Sequence, residues 1–220
     1  MSCGAERIDM KVVFWDWNGT LVNDAPVLCE VFNVLVSARG FSPVTLEEYR
    51  ELYRHPVREM YERIGFDFEK HPFETVAREW NEVYRERVSS IQLHGDSITT
   101  LEALRKRGSR QAVLSALPHQ VLLESVATHR VGHFFDQLAG IAHDRGDSKI
   151  QEGIELANLM GARGEDITII GDSSHDAEVA RELSARCILV ARGGESRSRL
   201  ETNGFPVVES FQSLIDGILS

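Results

Sequence analysis

Short, unbroken apolar runs recur along the chain and alternate with stretches of helical spacing. Four such runs are Val12-Val13-Phe14-Trp15, Gln111 to Leu114, Ile167-Thr168-Ile169-Ile170 and Cys187-Ile188-Leu189-Val190. Each is too short for a helix and is bounded by polar or turn residues, as expected of strands buried on both faces. Further strands are predicted at Gln137 to Ile141 and at Pro206-Val207-Val208. Between them, apolar residues return every three or four positions. They predict helices over about 97–107, from Pro118 through Val126, over 149–160, over about 176–184 and over 211–219. Strands alternating with helices through short loops imply an α/β fold, a doubly wound parallel sheet covered on both faces.

One region breaks the alternation. Asn23 or Asp24 is a fitting N-cap, Pro26 suits a first helical turn, and Val27, Val31, Val34 and Leu35 continue with helical spacing until Gly40. Helices are then predicted from Thr45, from Pro56 to Ile64, and from Pro72 through Val76, Trp80, Val83 and Tyr84. This span is too long for a loop. The expected organisation is a core of residues 1–23 and 93–220 with a helical insert over 24–92.

Composition narrows the class. The chain has 220 residues, 42% hydrophobic and 26% charged, ordinary for a globular protein. Its net charge of −10 weighs against a nucleic-acid partner. No apolar run is long enough to span a bilayer, and residues 1–10 lack the apolar core of a signal peptide, so a cytoplasmic protein is expected. Cys3, Cys29 and Cys187 are far apart and read as free thiols, Cys187 in the core.

The polar residues that end the strands carry the chemistry. The first apolar run stops at Asp16-Trp17-Asn18-Gly19-Thr20-Leu21, the second at Ser115, and the third at Gly171-Asp172-Ser173-Ser174-His175-Asp176; Lys149 opens a helix. Open α/β sheets place ligand sites at such strand tips. Taken alone, Ser115 reads as a helix cap, Lys149 as a solvated lysine and Asp172 as a turn residue. Two acids beside a glycine at one sheet edge are harder to explain without a bound cation.

In this order the four motifs resemble those of the haloacid dehalogenase (HAD) superfamily, in its phosphoglycolate phosphatase-like branch, over nearly the whole chain. The resemblance implies a Rossmann-like core, a helical cap at the insert, and Mg²⁺-dependent hydrolysis of a small phosphorylated metabolite through an aspartyl phosphate. It implies Asp16 as nucleophile and Asp16, the backbone carbonyl of Asn18 and Asp172 as metal ligands. Lys149 would hold Asp16 and neutralise the phosphate, Asp176 would lie in or near the metal's second shell, and Ser115 and Thr20 would bind the phosphate. Arg54 and Arg58, at helical separation around Pro56, are candidates to grip a second anionic group, or else face solvent. No membrane partner is implied, and monomer and homodimer both remain open.

The chain departs from the family at Asn18, where phosphatases carry a second acid. That acid protonates the leaving oxygen and then activates water, and an amide does neither. Asp24, His55 or His175 is a candidate substitute. A catalytically silent phosphate- or protein-binding relative is the alternative from a different class. The run Asp16-Trp17-Asn18-Gly19-Thr20 also resembles the Asp-Trp-Ala-Gly-Thr of phosphonoacetaldehyde hydrolases, whose cap lysine forms a Schiff base; the only lysine in this cap is Lys70.

Overall fold

The structure is a computed structural model describing residues 10–54, 57–141 and 149–219. Its centre is a six-stranded sheet of β1 (Val12–Trp15), β2 (Arg110–Pro118), β3 (Gln137–Ile141), β4 (Ile167–Gly171), β5 (Arg186–Val190) and β6 (Val207–Val208). The order is β3-β2-β1-β4-β5-β6, with every neighbouring pair parallel. The chain winds outward from β1 to β3, crosses back to β4 and winds out the other way. The switch point, where such sheets bind ligands, therefore lies between β1 and β4.

Alternation along β1 sorts its side chains between two cores. Val13 and Trp15 face one layer with Leu101, Leu104, Leu122, Val126 and Phe211. These come from α5 (Ser97–Lys106), α6 (His119–Thr128) and α10 (Phe211–Leu219). Val12 and Phe14 face the other, with Leu156, Met160, Ala177, Ala180 and Leu200. That layer is built from α7 (Ile150–Met160), α8 (Ser174–Glu182) and α9 (Arg197–Glu201). A sheet buried on both faces accounts for strands that read as continuous apolar runs.

The helical insert forms as the spacing predicts: α1 (Ala25–Ser37), α2 (Leu46–Leu52), α3 (Val57–Arg63) and α4 (Phe73–Arg87). These helices share their own aromatic core, with Phe32, Tyr49, Tyr61 and Phe66 at its centre. Thr45 starts α2 through a reciprocal capping box with Glu48. The chain leaves the sheet layer and returns at one place, where Val22 bridges Leu93 and the Asn23 N–H donates to Gln92 O at 2.8 Å.

Three details differ from the sequence reading. β2 continues past Ser115 to Pro118 through an irregularity in its pairing with β3. Helix α9 was not predicted: only Leu200 of its five residues is buried, so no apolar period marks it. Asp24 occupies the N-cap position of α1, but its side chain makes no capping bond. The predicted caps Asp147 and Ser148, the candidate acid–base residue His55, and Cys3 lie outside the described residues. Cys29 and Cys187 are buried free thiols. Among the described residues, no helix is long and apolar enough to cross a membrane.

Candidate active site

The switch point gathers the polar strand tips. Asp16 follows β1 and Asp172 follows β4, and the ladder between these strands extends one step further, with the Asp16 N–H donating to Ile170 O at 2.8 Å. Asp176 lies in the first turn of α8, and Lys149 immediately precedes α7. All four are buried. One oxygen from each of Asp16, Asp172 and Asp176 lies within 4.8 Å of the others.

Lys149 ties this cluster together. Its ammonium donates to Asp16 Oδ1 and to the Leu114 carbonyl at 3.2 Å, and pairs with Asp176 Oδ1 at 2.7 Å. Burial alone would lower the lysine's pKa, but the Asp16 and Asp176 carboxylates outweigh it and hold the ammonium charged. Burial likewise pushes Asp176 up, yet Lys149 and the Ser173 hydroxyl keep it below the ordinary carboxylate range. Ser173 meets Asp176 Oδ2 through its N–H at 3.1 Å and its Oγ at 2.7 Å.

The other two acids are pushed the opposite way. Burial raises Asp16 to about 6 despite Lys149. Burial, with Asp16 and Asp176 nearby, raises Asp172 well above its usual value. Asp172 is held by the Thr20 hydroxyl at 2.8 Å and by the Gly194 N–H at 2.9 Å. Glycine is required where backbone meets this carboxylate. A Cβ on Gly19, whose φ is +76°, would lie 2.4 Å from Asp172 Oδ2, and one on Gly193 would lie 1.8 Å away.

Three buried carboxylates, two of them paired with one lysine, form an all-oxygen donor set short of positive charge. Such a set fits a hard divalent cation of the Mg²⁺ type.

The loop after Asp16 is pinned on both sides. The Trp17 indole is fully buried and donates to Ser125 Oγ of α6 at 2.9 Å. Asn18 Nδ2 donates to Asp24 Oδ2 at 2.6 Å, while Asn18 Oδ1 is buried with no hydrogen-bond partner among the described residues. Burial pushes Asp24 up and the Asn18 bond opposes it, leaving Asp24 raised. Of the candidate substitutes for the missing acid, Asp24 is thus in contact with Asn18. His175 is engaged elsewhere, its Nε2 accepting the Lys149 N–H at 3.1 Å and its Nδ1 lying 3.2 Å from Glu178.

The remaining candidates spread out. Ser115 is buried within β2, before the irregularity that leads to Pro118, and its Oγ accepts the Leu117 N–H at 3.1 Å. The Thr20 proton goes to Asp172 rather than to an open position. Arg54 donates to the Glu51 carbonyl at 2.8 Å and to that of Tyr53 at 2.6 Å. Arg58 pairs with Glu62 at 2.9 Å and lies over the Phe68 ring. Lys70 is exposed and paired with Asp67 at 3.1 Å.

Sequence reasoning missed the contacts between the insert and the loop after β5. Arg50 of α2 donates to the Arg192 carbonyl at 2.8 Å and to the Gly193 carbonyl at 2.9 Å, and Arg199 donates to the Tyr53 carbonyl. The Tyr53 ring packs on Gly194, and burial together with the nearby carboxylates of Asp172 and Asp24 raises its phenol far above the usual range. Arg192 pairs with Asp96 at 2.6 Å, donates to the Thr20 carbonyl at 2.7 Å and stacks over Phe211. The pair Gly193-Gly194 was the one sequence signal for this crowding.

Comparisons with known proteins identify the family and the fold. A phosphoglycolate phosphatase of Rhodobacter capsulatus is 26% identical over 189 residues, covering 82% of this chain and 84% of that one. A haloacid dehalogenase-like family hydrolase of Streptococcus pneumoniae shares the fold with a TM-score of 0.79 at 16% identity, over 94% of this chain and 97% of that one. A HAD family hydrolase of Deinococcus radiodurans, solved with bound phosphate and sodium, aligns with a TM-score of 0.70 at 17% identity, over 94% of each chain. The profile of the family described as haloacid dehalogenase-like hydrolase matches residues 13–190, from the strand before Asp16 to the end of the strand beyond Asp172, and the chain belongs to that family.

Proposed function

We propose that this chain is a Mg²⁺-dependent phosphatase acting in the cytoplasm on a small phosphorylated metabolite through an Asp16 phosphate. The observation that carries the reading is the buried cluster of Asp16, Lys149, Asp172 and Asp176 at the sheet's switch point. The Deinococcus protein of the same fold was solved with bound phosphate and sodium.

Asp16 is the nucleophile. A carboxylate oxygen bonds to phosphorus, the ester P–O bond breaks, and the leaving oxygen departs with its electron pair. Lys149 keeps Asp16 ionised and aimed, and Asp176 holds Lys149. Asp16, Asp172 and the Asn18 carbonyl would hold Mg²⁺, and Thr20 and Gly194 orient Asp172 for it. When bound, Mg²⁺ supplies the positive charge that lets an anionic phosphoryl group approach a carboxylate. Ser115, within β2, would donate to a phosphate oxygen. Arg54 and Arg58 would have to exchange their present partners to grip a second anion on the substrate.

Asn18 sets the limits of this chemistry. Proton transfer by a positioned acid or base contributes roughly 10²–10⁴-fold, and the amide forgoes it. Leaving groups that depart without a proton, such as aryl and acyl phosphates, are therefore the best substrates. The same residue favours the second reading, a silent relative that binds phosphate without turning it over.

Phosphate release from an aryl phosphate, with and without Mg²⁺, separates the two. Mg²⁺-dependent release that Asp16→Asn abolishes supports the phosphatase. No release from any small ester at high enzyme concentration, with inorganic phosphate still binding, supports the silent relative.

A further inference from the structure

The Asn18 amide is held in one orientation. Its Nδ2 meets Asp24 Oδ2 at 2.6 Å, and its Oδ1 is buried and unpartnered among the described residues. Asp24 Oδ2 accepts from the NH₂ end of the amide, the only end of that side chain able to donate. Turning the amide over would set oxygen against oxygen. Asp24 therefore decides which end of Asn18 faces away from it.

Asp24 is built for this contact. It is 2% exposed and sits at the N-cap of α1, where a carboxylate ordinarily accepts from the helix's first N–H groups, yet it makes no such bond. The side chain is directed back across six residues to Asn18 instead. The result is an acceptor, Asn18 Oδ1, two residues from Asp16 and lacking a donor among the described residues. Buried acceptors in folded proteins nearly always find one.

We propose that Asp24 is a positioning residue, locking Asn18 with its oxygen free to orient the water that hydrolyses the Asp16 phosphate. The proposal rests on the phosphatase reading. In this step the water oxygen bonds to phosphorus, and the bond between phosphorus and the Asp16 oxygen breaks. Its electron pair returns to the carboxylate, and the water proton leaves on the phosphate product. Asn18 takes no proton; it orients the attack. Hydrolysis of the intermediate is then the slow step, and Asp16 attack on a good leaving group proceeds without Asp24.

Stopped-flow kinetics with 4-nitrophenyl phosphate and Mg²⁺ tests this on the full chain. The native chain should release a burst of nitrophenolate, one per site, followed by slow turnover. Asp24→Ala should keep the burst and lower the steady rate at least about tenfold, the scale on which a misplaced reacting group loses rate. The exchanged pair, Asn18→Asp with Asp24→Asn, keeps one carboxylate and one amide in contact and should return the steady rate to the native level or above. If Asp24→Ala does not fold, Asp24→Asn serves: an amide at 24 accepts either end of Asn18, so the burst stays and the steady rate falls. A steady rate unchanged by either substitution, or burst and turnover lost together in a folded variant, overturns the proposal. A native chain with neither burst nor turnover overturns the phosphatase reading, and this inference with it.

Discussion

The Thr20 hydroxyl donates to Asp172 Oδ1 at 2.8 Å across 152 positions of sequence. This bond joins the loop after β1 to the tip of β4 and closes the switch point from within. Both residues are buried, so neither finds a replacement partner in water. Thr20→Val keeps the shape and removes the proton. The cost is about 1–3 kcal/mol, that of a buried acceptor left short of a donor. Thermal unfolding reads the loss, and Mg²⁺ affinity should fall with it, since among the described residues Asp172 keeps only the Gly194 N–H. A native melting temperature in Thr20→Val would mean that Asp172 is held elsewhere.

Removing Lys149 strands two buried acids. Lys149→Met leaves Asp16 and Asp176 without the ammonium they share. Breaking a buried pair from one side costs about 3–5 kcal/mol. The acids escape that cost by taking up protons, so the loss should be larger at pH 8 than at pH 5. Urea unfolding at both values checks the sign; equal losses would place the lysine outside the charge balance of the cluster.

Mg²⁺ binding should release protons in mildly acidic solution. Burial raises Asp16 to about 6 and raises Asp172 as well. Below about pH 6 a cation must displace a proton from Asp16, so affinity falls as pH drops through that value. The linkage to folding has the same origin. Asp16 binds its proton more tightly folded than unfolded, so its contribution to stability is present below about pH 4 and is lost as pH rises through about 6. Calorimetric titration with Mg²⁺ at pH 5.5 and 7.5, in two buffers of different ionisation enthalpy, reads the released protons directly. Equal affinities and no buffer dependence would contradict the assignment.

Gly19→Ala should be far worse than Gly65→Ala, although both backbones have positive φ. Gly65 has open space around it, so alanine there adds only strain of about 1 kcal/mol. At Gly19 the new methyl would stand 2.4 Å from Asp172 Oδ2 and must push the carboxylate aside. Gly19→Ala should therefore lose Mg²⁺ binding as well as stability, and Gly65→Ala should keep the binding. Calorimetry on the two variants decides, and equal Mg²⁺ affinity in both would sink the argument.

How much of this was legible in sequence follows from the kind of signal each part leaves. The strands announce themselves because a sheet covered on both faces needs apolar runs, and the site acids because each run ends abruptly in a charge. The six-residue step from Asn18 to Asp24 leaves no periodic signal. Asp24 reads as a helix cap by local rules, and only the fold shows its carboxylate directed elsewhere. Arg192 reads as part of a turn, yet it joins Asp96, the Thr20 carbonyl and the Phe211 ring. Its partners lie in three distant segments, and no window of sequence contains them. Arg50 is hidden likewise, as a surface-looking arginine whose acceptors are backbone carbonyls of the core.

Asn18→Asp puts at this position the acid that the resemblance implies for a phosphatase, and taken by itself it should not restore acid–base chemistry. In this chain the new carboxylate would meet Asp24, whose oxygen lies 2.6 Å from the Asn18 nitrogen it replaces. Two carboxylates at that separation do not both ionise; one keeps a proton and its pKa rises strongly. At pH 5 the shared proton holds the pair together. As pH rises the proton is lost, the two charges repel inside a buried pocket, and stability falls. Asn18→Asp should therefore melt close to the native chain at pH 5 and well below it at pH 8, while adding Asp24→Asn removes the difference by returning one amide to the pair. Melting curves of the three proteins at the two pH values test this without reference to turnover. Parallel behaviour of Asn18→Asp and the double variant would show that Asp24 swings away when challenged, and that the contact at 2.6 Å is not a constraint on what residue 18 can be.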